Sequence, residues 1–196
     1  MSQDAHYFIA IPLSHQLKQI YSSWQSEWKN VLPYRQWTHR DDLHVTLKFL
    51  GPVSSDALKQ IDQTLTPIQH MAPISVQTGD LGTFGHPSSP RVLWIGVDKK
   101  AELLEIQKRI EKLVLPYGFP KDKRLFHPHI TIAKKWDVEQ KVENEDFLEL
   151  QNKYKGQKHV LHVDKIILYR VQPKRLPKYE SVQIYELSGD NNGTTD

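Results

Sequence analysis

Apolar and polar positions change period several times along the chain. FIAIPL, Phe8 to Leu13, is a short continuous apolar run and is predicted as a strand. After Ser14 the period lengthens: Leu17, Ile20, Tyr21, Trp24, Trp28 and Val31 fall on one helical stripe, which Ser14 caps and Pro33 closes. Leu43 to Leu50 is predicted as a strand, followed by a helix that opens at Ser54, carries Leu58, Ile61 and Leu65, and stops at Pro67. Ile74 to Phe84 alternates as a weaker strand. The turn-rich GHPSSP then leads into a buried strand from Val92 to Val97, and Asp98 caps a helix bearing Leu103, Ile106, Ile110 and Leu113 up to Pro116. HITIAK is the next strand. A helix over Val138 to Gln151, a strand over His162 to Val171 and a closing strand over Ser181 to Leu187 complete the pattern, with 189–196 expected to be a disordered tail.

The order repeats. Each half, about 7–84 and 91–171, reads strand, amphipathic helix, strand with His-x-Thr, helix, strand. Phe8 and His44 are 36 positions apart, and Val92 and His129 are 37 apart, so the register of the repeat is kept where the letters are not. The long connections favour an α+β fold over a parallel α/β sheet. The expectation is one bilobal domain over 1–188: two pseudo-symmetric β-α-β-α-β halves, antiparallel sheets lining a central cleft, and helices outside.

Strand alternation sets the candidate chemistry. His44, Thr46 and Lys48 are predicted to share one face, with Val45, Leu47 and Phe49 on the other; in the second copy His129 and Thr131 lie together, opposite Ile130 and Ile132. His and Thr two positions apart are separated by roughly 7 Å along a strand, close enough to reach one small anion. If the halves pack about an approximate two-fold axis, the two pairs face each other as a polar box. Such a box suits in-line displacement at phosphorus: one imidazole takes a proton from the attacking hydroxyl, the other gives one to the departing oxygen. The threonines, with Lys48 or Lys134, would hold the non-bridging oxygens. Alternation cannot say which histidine is acid and which is base. His127, before Pro128, is either a substrate contact or turned outward. Phe49 and Phe84 are readable as nucleobase-stacking residues or, the favoured reading, as core, and Trp94 is read as core and Arg91 as a surface charge. The basic loop PKRLPK, Pro173 to Lys178, is either a guide for an RNA backbone or a solvated turn.

Composition narrows this picture. With no cysteine among 196 residues, disulfides, thiolate metal sites and cysteine nucleophiles are excluded, and the cytoplasm is the default compartment. FIAIPL is too short for a signal sequence and nothing reaches membrane-spanning length, so no membrane association is expected. The net charge of +3 permits a phosphate-bearing partner without requiring one.

At HVTLKFLG and FHPHITIAK the chain resembles the two-histidine (2H) phosphoesterase superfamily; FIAIPL, RVLWIGV and LYR are similar to segments of its bacterial RNA 2′,3′-cyclic phosphodiesterase branch. The resemblance runs from about Phe8 to Leu187. It implies hydrolysis of a 2′,3′-cyclic phosphate on an RNA end or small nucleotide to the 2′-phosphomonoester without metal or other cofactor, with reversible 2′-5′ RNA joining as the same chemistry; a monomer is expected. By the resemblance His44 is the proton donor and His129 the proton acceptor, with Thr46 and Thr131 on the phosphate. Lys134 stands where the family often has Arg, and Val171 where Ser is common. Two other readings stand beside it. One is a zinc hydrolase using His44, His127 and His129 as ligands. The other is a non-catalytic RNA-end-binding module.

Overall fold

The computed structural model describes residues 5–139 and 144–189. Among them nine strands run in the order β1 (His6–Pro12), β2 (Tyr34–Trp37), β3 (His44–Pro52), β4 (Ile74–His86), β5 (Ser89–Val97), β6 (His129–Trp136), β7 (Lys158–Val163), β8 (Lys165–Val171) and β9 (Tyr179–Glu186). The helices are α1 (His15–Trp28), α2 (Ser55–Leu65), α3 (Ala101–Val114) and α4 (Asn144–Tyr154). All strand pairings are antiparallel, in the order β7-β4-β5-β6-β3-β1-β8-β9 with β2 on the far part of β6. The expected α+β class with antiparallel sheets is what is found.

The order defines two arms, β7-β4-β5-β6 and β3-β1-β8-β9, joined where Val45 of β3 pairs with Ile130 of β6. Each arm draws on both halves of the chain. Tyr185 of β9 donates to Asp62 of α2 at 2.7 Å, and Lys48 of β3 pairs with Glu111 of α3. On the other arm Tyr21 of α1 bonds Thr78 of β4, and Gln151 of α4 bonds the Leu81 carbonyl. The lobes are therefore intertwined, and the fold cannot form one lobe from one half alone.

Local chemistry explains most element boundaries. Ser14 and Ser54 accept from the backbone N–H groups of Leu17 and Ala57, capping α1 and α2 as predicted. Trp24 and Trp28 of the α1 stripe pack on Tyr154 of α4, whereas Val31 lies past the helix end and is half exposed. Asp98 does not cap α3: its N–H donates to Gln77 O, extending the β4–β5 ladder, and the cap position is Lys100, which makes no side-chain cap bond. The strand expected over His162–Val171 is two strands, because the chain crosses at Asp164 from the β4 edge to β1. β2 was not anticipated; YRQW has no apolar alternation, and only its partner β6 makes it a strand. The expected helix over Val138 to Gln151 begins later, at Asn144, with residues 140–143 outside the described residues. Gly189, placed in the expected disordered tail, donates to Met71 O, and the rest of that tail, 190–196, lies outside the described residues. Among the described residues no helix is long and apolar enough to cross a membrane.

Candidate active site

The pairing of Val45 with Ile130 fixes the geometry of the site. Both residues are fully buried, so their neighbours on the same strands point to the opposite face. Across an antiparallel pair in this register His44 lies opposite Thr131 and Thr46 opposite His129. The histidines then sit on a diagonal, spaced about 7–8 Å at the backbone in a regular ladder. The four side chains are all half buried on one sheet face. They meet side by side over the seam between the arms, where the sequence suggested opposite walls.

The two histidines are held in the same way. His44 Nδ1 lies 2.6 Å from the carbonyl of Asp42, and His129 Nδ1 lies 2.7 Å from the carbonyl of His127. A carbonyl only accepts, so each Nδ1 carries its proton and each Nε2 is left to exchange one. His44 Nε2 is 2.9 Å from Thr46 Oγ1, which donates to it when the ring is neutral. Phe8 at 4.8 Å, Tyr179 at 5.2 Å and Tyr169 at 6.3 Å wall in the His44 ring. That desolvation pushes the His44 pKa down to about 4; the Asp42 carbonyl opposes it, and Lys134, His129 and Lys18 add to it. The His129 pKa is also lowered, first by burial, against the pull of the His127 carbonyl and with help from His127 and Lys134.

A bulge after each threonine decides what else faces the histidines. Opposite β1 the register slips between Ala10, paired with Thr46, and Ile9, paired with Lys48; opposite β5 it slips between Trp94, paired with Thr131, and Leu93, paired with Ala133. In each strand the fourth residue after histidine turns into the protein and the fifth turns to the site. Lys48, expected on the phosphate, is therefore only 3% exposed on the other face, donating to Pro120 O at 2.6 Å and pairing with Asp122 at 3.0 Å and Glu111 at 3.6 Å. This corrects its assignment as a phosphate ligand. Phe49, for which core packing was favoured, is instead 58% exposed on the site face, paired across β1 with Phe8. Lys134 holds the equivalent place in β6. The residue as a whole is exposed, but its ammonium is partly desolvated, and that desolvation, with the nearby Lys178, lowers its pKa. The carbonyl of Ile132 at the second bulge accepts from Thr38 N–H and from the buried Gln25 amide, so the turn-in is held from α1.

Lys134 and Lys178 line a cavity of about 70 Å³ with Asp42, His39 and Tyr179. The Asp42 carboxylate accepts from the backbone N–H groups of Lys178 and Tyr179 at 2.9 and 3.0 Å. The basic loop before β9 is thereby anchored beside His44. Trp94, expected in the core, stands half buried on the site face, its ring laid over Gly82; a Cβ at Gly82 would meet that ring at 2.0 Å. Phe84 and His127 flank it, and Arg91 is exposed as expected. Phe8, Tyr169, Tyr179 and Asp42 were not singled out. One signal was available for Asp42: it precedes His44 by the interval at which His127 precedes His129. Among the described residues no group of three or more His, Asp or Glu side chains is arranged to hold a metal ion.

Residues 18–174 match the family model of the 2′-5′ RNA ligase superfamily. A Geobacillus stearothermophilus protein named RNA 2′,3′-cyclic phosphodiesterase is 36% identical over 97% of this chain, which spans 60% of that protein's length. A Bacillus subtilis protein of the same name is 29% identical, with 93% of this chain and 97% of that protein covered. Among solved structures, Escherichia coli LigT complexed with 3′-AMP superposes with a TM-score of 0.76 at 22% identity, covering 94% of this chain and 98% of that one.

Proposed function

The chain belongs to the 2′-5′ RNA ligase superfamily, and from that premise we propose that it opens 2′,3′-cyclic phosphates on RNA ends or small nucleotides to 2′-phosphomonoesters by paired-histidine acid-base catalysis. The observation that carries this reading is the quartet at the β3–β6 seam: two imidazoles, each with Nδ1 tied to the carbonyl two residues upstream and Nε2 left for proton exchange, that of His44 meeting the Thr46 hydroxyl, each with a threonine beside it. The names of the Geobacillus and Bacillus relatives support the same reaction.

In this mechanism the phosphoryl group sits between His44 and His129. Thr46, Thr131 and Lys134 hold the non-bridging oxygens, whose charge grows as water attacks. His129 Nε2 takes the proton of water and His44 Nε2 delivers one to O3′, the order the family resemblance implies. With both pKa values depressed in the free protein, the acid holds little proton at neutral pH. The phosphate anion counters the neighbouring cations and raises both values, so the substrate itself completes the acid. Phe49, exposed opposite Phe8, offers its face to the base of the cyclic nucleotide. The reaction as proposed needs no metal, and the protein works as a monomer in the cytoplasm, a setting that the cysteine-free composition supports.

His44→Ala and His129→Ala each lower turnover of 2′,3′-cyclic AMP by about a hundredfold to ten-thousandfold in the presence of EDTA, with unchanged circular dichroism. Near-normal rates in either variant would sink the proposal. Loss of wild-type activity in EDTA, restored by zinc, would transfer it to the metallohydrolase reading.

A further inference from the structure

The mechanism draws on Lys134 and leaves its neighbour Lys178 without a task. Both line the cavity of about 70 Å³ beside His44, with Gln36, His39 and Asp42 in the same wall. Neither ammonium makes an ion pair or a hydrogen bond among the described residues, and Lys178 comes near enough to help hold the Lys134 pKa down. The Gln36 amide makes no hydrogen bond among the described residues either, and His39 uses only Nδ1, which accepts from the Asp41 N–H at 3.2 Å and leaves Nε2 over. Asp42 is the one acid in this lining, and it is 4% exposed with both carboxylate oxygens already taken, by the backbone N–H groups of Lys178 at 2.9 Å and Tyr179 at 3.0 Å. Its role is to fix the hairpin that carries Lys178 rather than to neutralise the two ammoniums. Two cations and two further side chains with unused polar atoms thus converge on one small cavity, which is what an anion needs.

The position of the cavity says which anion. Its wall includes Asp42, whose carbonyl holds His44 Nδ1, and Tyr179, whose ring is 5.2 Å from the His44 ring, so it opens on the His44 side of the quartet. In the proposed reaction His44 protonates O3′. On a ribose, C5′ is carried by C4′, the neighbour of C3′, so a group on O5′ leaves the sugar on the O3′ side, whereas the base leaves from C1′ on the O2′ side. The phosphoryl between the histidines already takes Lys134, and a second anion accounts for Lys178. We propose that Lys178, with the Gln36 amide and His39 Nε2, forms a second anion subsite that holds the phosphate on O5′ of the nucleotide whose cyclic phosphate is opened. The subsite rests on the proposed function, and it narrows the substrate class to cyclic phosphates with a second phosphate one ribose away, carried as a monoester on a single nucleotide or as the first internucleotide diester of a strand.

The test compares three substrates on the intact protein: 2′,3′-cyclic AMP, the same nucleotide with a phosphate on O5′, and the dinucleotide ApA ending in a 2′,3′-cyclic phosphate. Base and reacting group are identical in all three, so the comparison isolates the phosphate on O5′. Wild-type protein is expected to show kcat/KM about 10- to 100-fold higher for the two that carry it, the worth of one hydrogen bond to a charged group. Lys178→Met brings that ratio down towards one with 2′,3′-cyclic AMP turned over as before, and Lys178→Arg, which keeps the cation, retains most of it. An advantage shared by both phosphorylated substrates makes the natural ligand a strand, and one confined to the 5′-phosphorylated mononucleotide makes it a small nucleotide; both outcomes uphold the subsite. Equal kcat/KM for all three, an advantage of the dinucleotide alone, or a ratio that Lys178→Met leaves intact while lowering every substrate alike would overturn the subsite and leave the hydrolase reading standing. Failure to open any of the cyclic phosphates would overturn the proposed function first, and the subsite with it.

Discussion

Lys48 offers a sharp division between a stabilising cation and a substrate-binding one. Its side chain is 2% exposed and its ammonium donates to Pro120 O, with Asp122 at 3.0 Å and Glu111 at 3.6 Å. Lys48→Met removes the charge and keeps most of the volume, so the cost falls on the partners left behind. Losing one member of a fully buried pair costs about 3–5 kcal/mol. Asp122 has a side chain 60% exposed and recovers most of its loss from water; Glu111, 11% exposed, cannot, although the Asp122 N–H still donates to it at 3.0 Å. The expected destabilisation is therefore about 2–3 kcal/mol, below the fully buried range. For a chain of this size that lowers the melting temperature by roughly 4–12 °C. Urea unfolding followed by circular dichroism measures the first quantity, and a thermal scan the second. Turnover of 2′,3′-cyclic AMP, assayed well below the transition, should keep its KM and kcat within about twofold, since the bulge at Leu47 turns Lys48 from the site. Unchanged stability with a KM raised tenfold would refute this reasoning and put Lys48 back on the phosphate.

Other consequences are open to direct measurement. Burial holds both histidines below their ordinary value of 6.5 in the free protein, and in the proposed mechanism kcat/KM depends on one of them being protonated while the other is neutral. Its pH profile should be a bell centred on the acid side of 6.5, with the kcat profile lying higher because bound phosphate raises both values; a kcat/KM maximum above pH 7 would contradict the burial argument. Phe49→Ala should raise KM for cyclic AMP about 5- to 100-fold, the worth of one stacked base, without altering unfolding, and an unchanged KM would remove Phe49 from the substrate. Asp42→Ala takes the acceptor from the Lys178 and Tyr179 N–H groups, so faster amide exchange at those two residues and weaker substrate binding are expected together; exchange unchanged from wild type would show that the loop is anchored elsewhere.

The parts of the site that were legible in the sequence share a local cause. His44 with Thr46 and His129 with Thr131 were visible because alternation along a strand is a property of the strand itself, and because the pattern occurs twice at nearly equal intervals. Alternation failed one residue past each threonine. The bulges at Leu47 and Ile132 exist only against β1 and β5; the first exchanged the expected positions of Lys48 and Phe49, and the second turned Lys134 to the site. Trp94 was misread for a related reason: VLWIGV looks uniformly buried, and only the pairing of Trp94 with Gly82 shows a ring lying on the sheet rather than beneath it.

By itself, then, the sequence determined the strand and helix periods, the capping serines, the repeated His-x-Thr pairs and the absence of thiol chemistry, all consequences of residue type and short spacing. The tertiary structure decided that the two pairs meet over a single β3–β6 bridge, that each arm of the sheet borrows helices and strands from both halves, and that an aromatic shelf stands beside His129. The physical reason is that strand register and bulges arise from hydrogen bonds between segments far apart in the chain. A shift of one residue in such a ladder sends a side chain to the opposite face, and no local pattern records it.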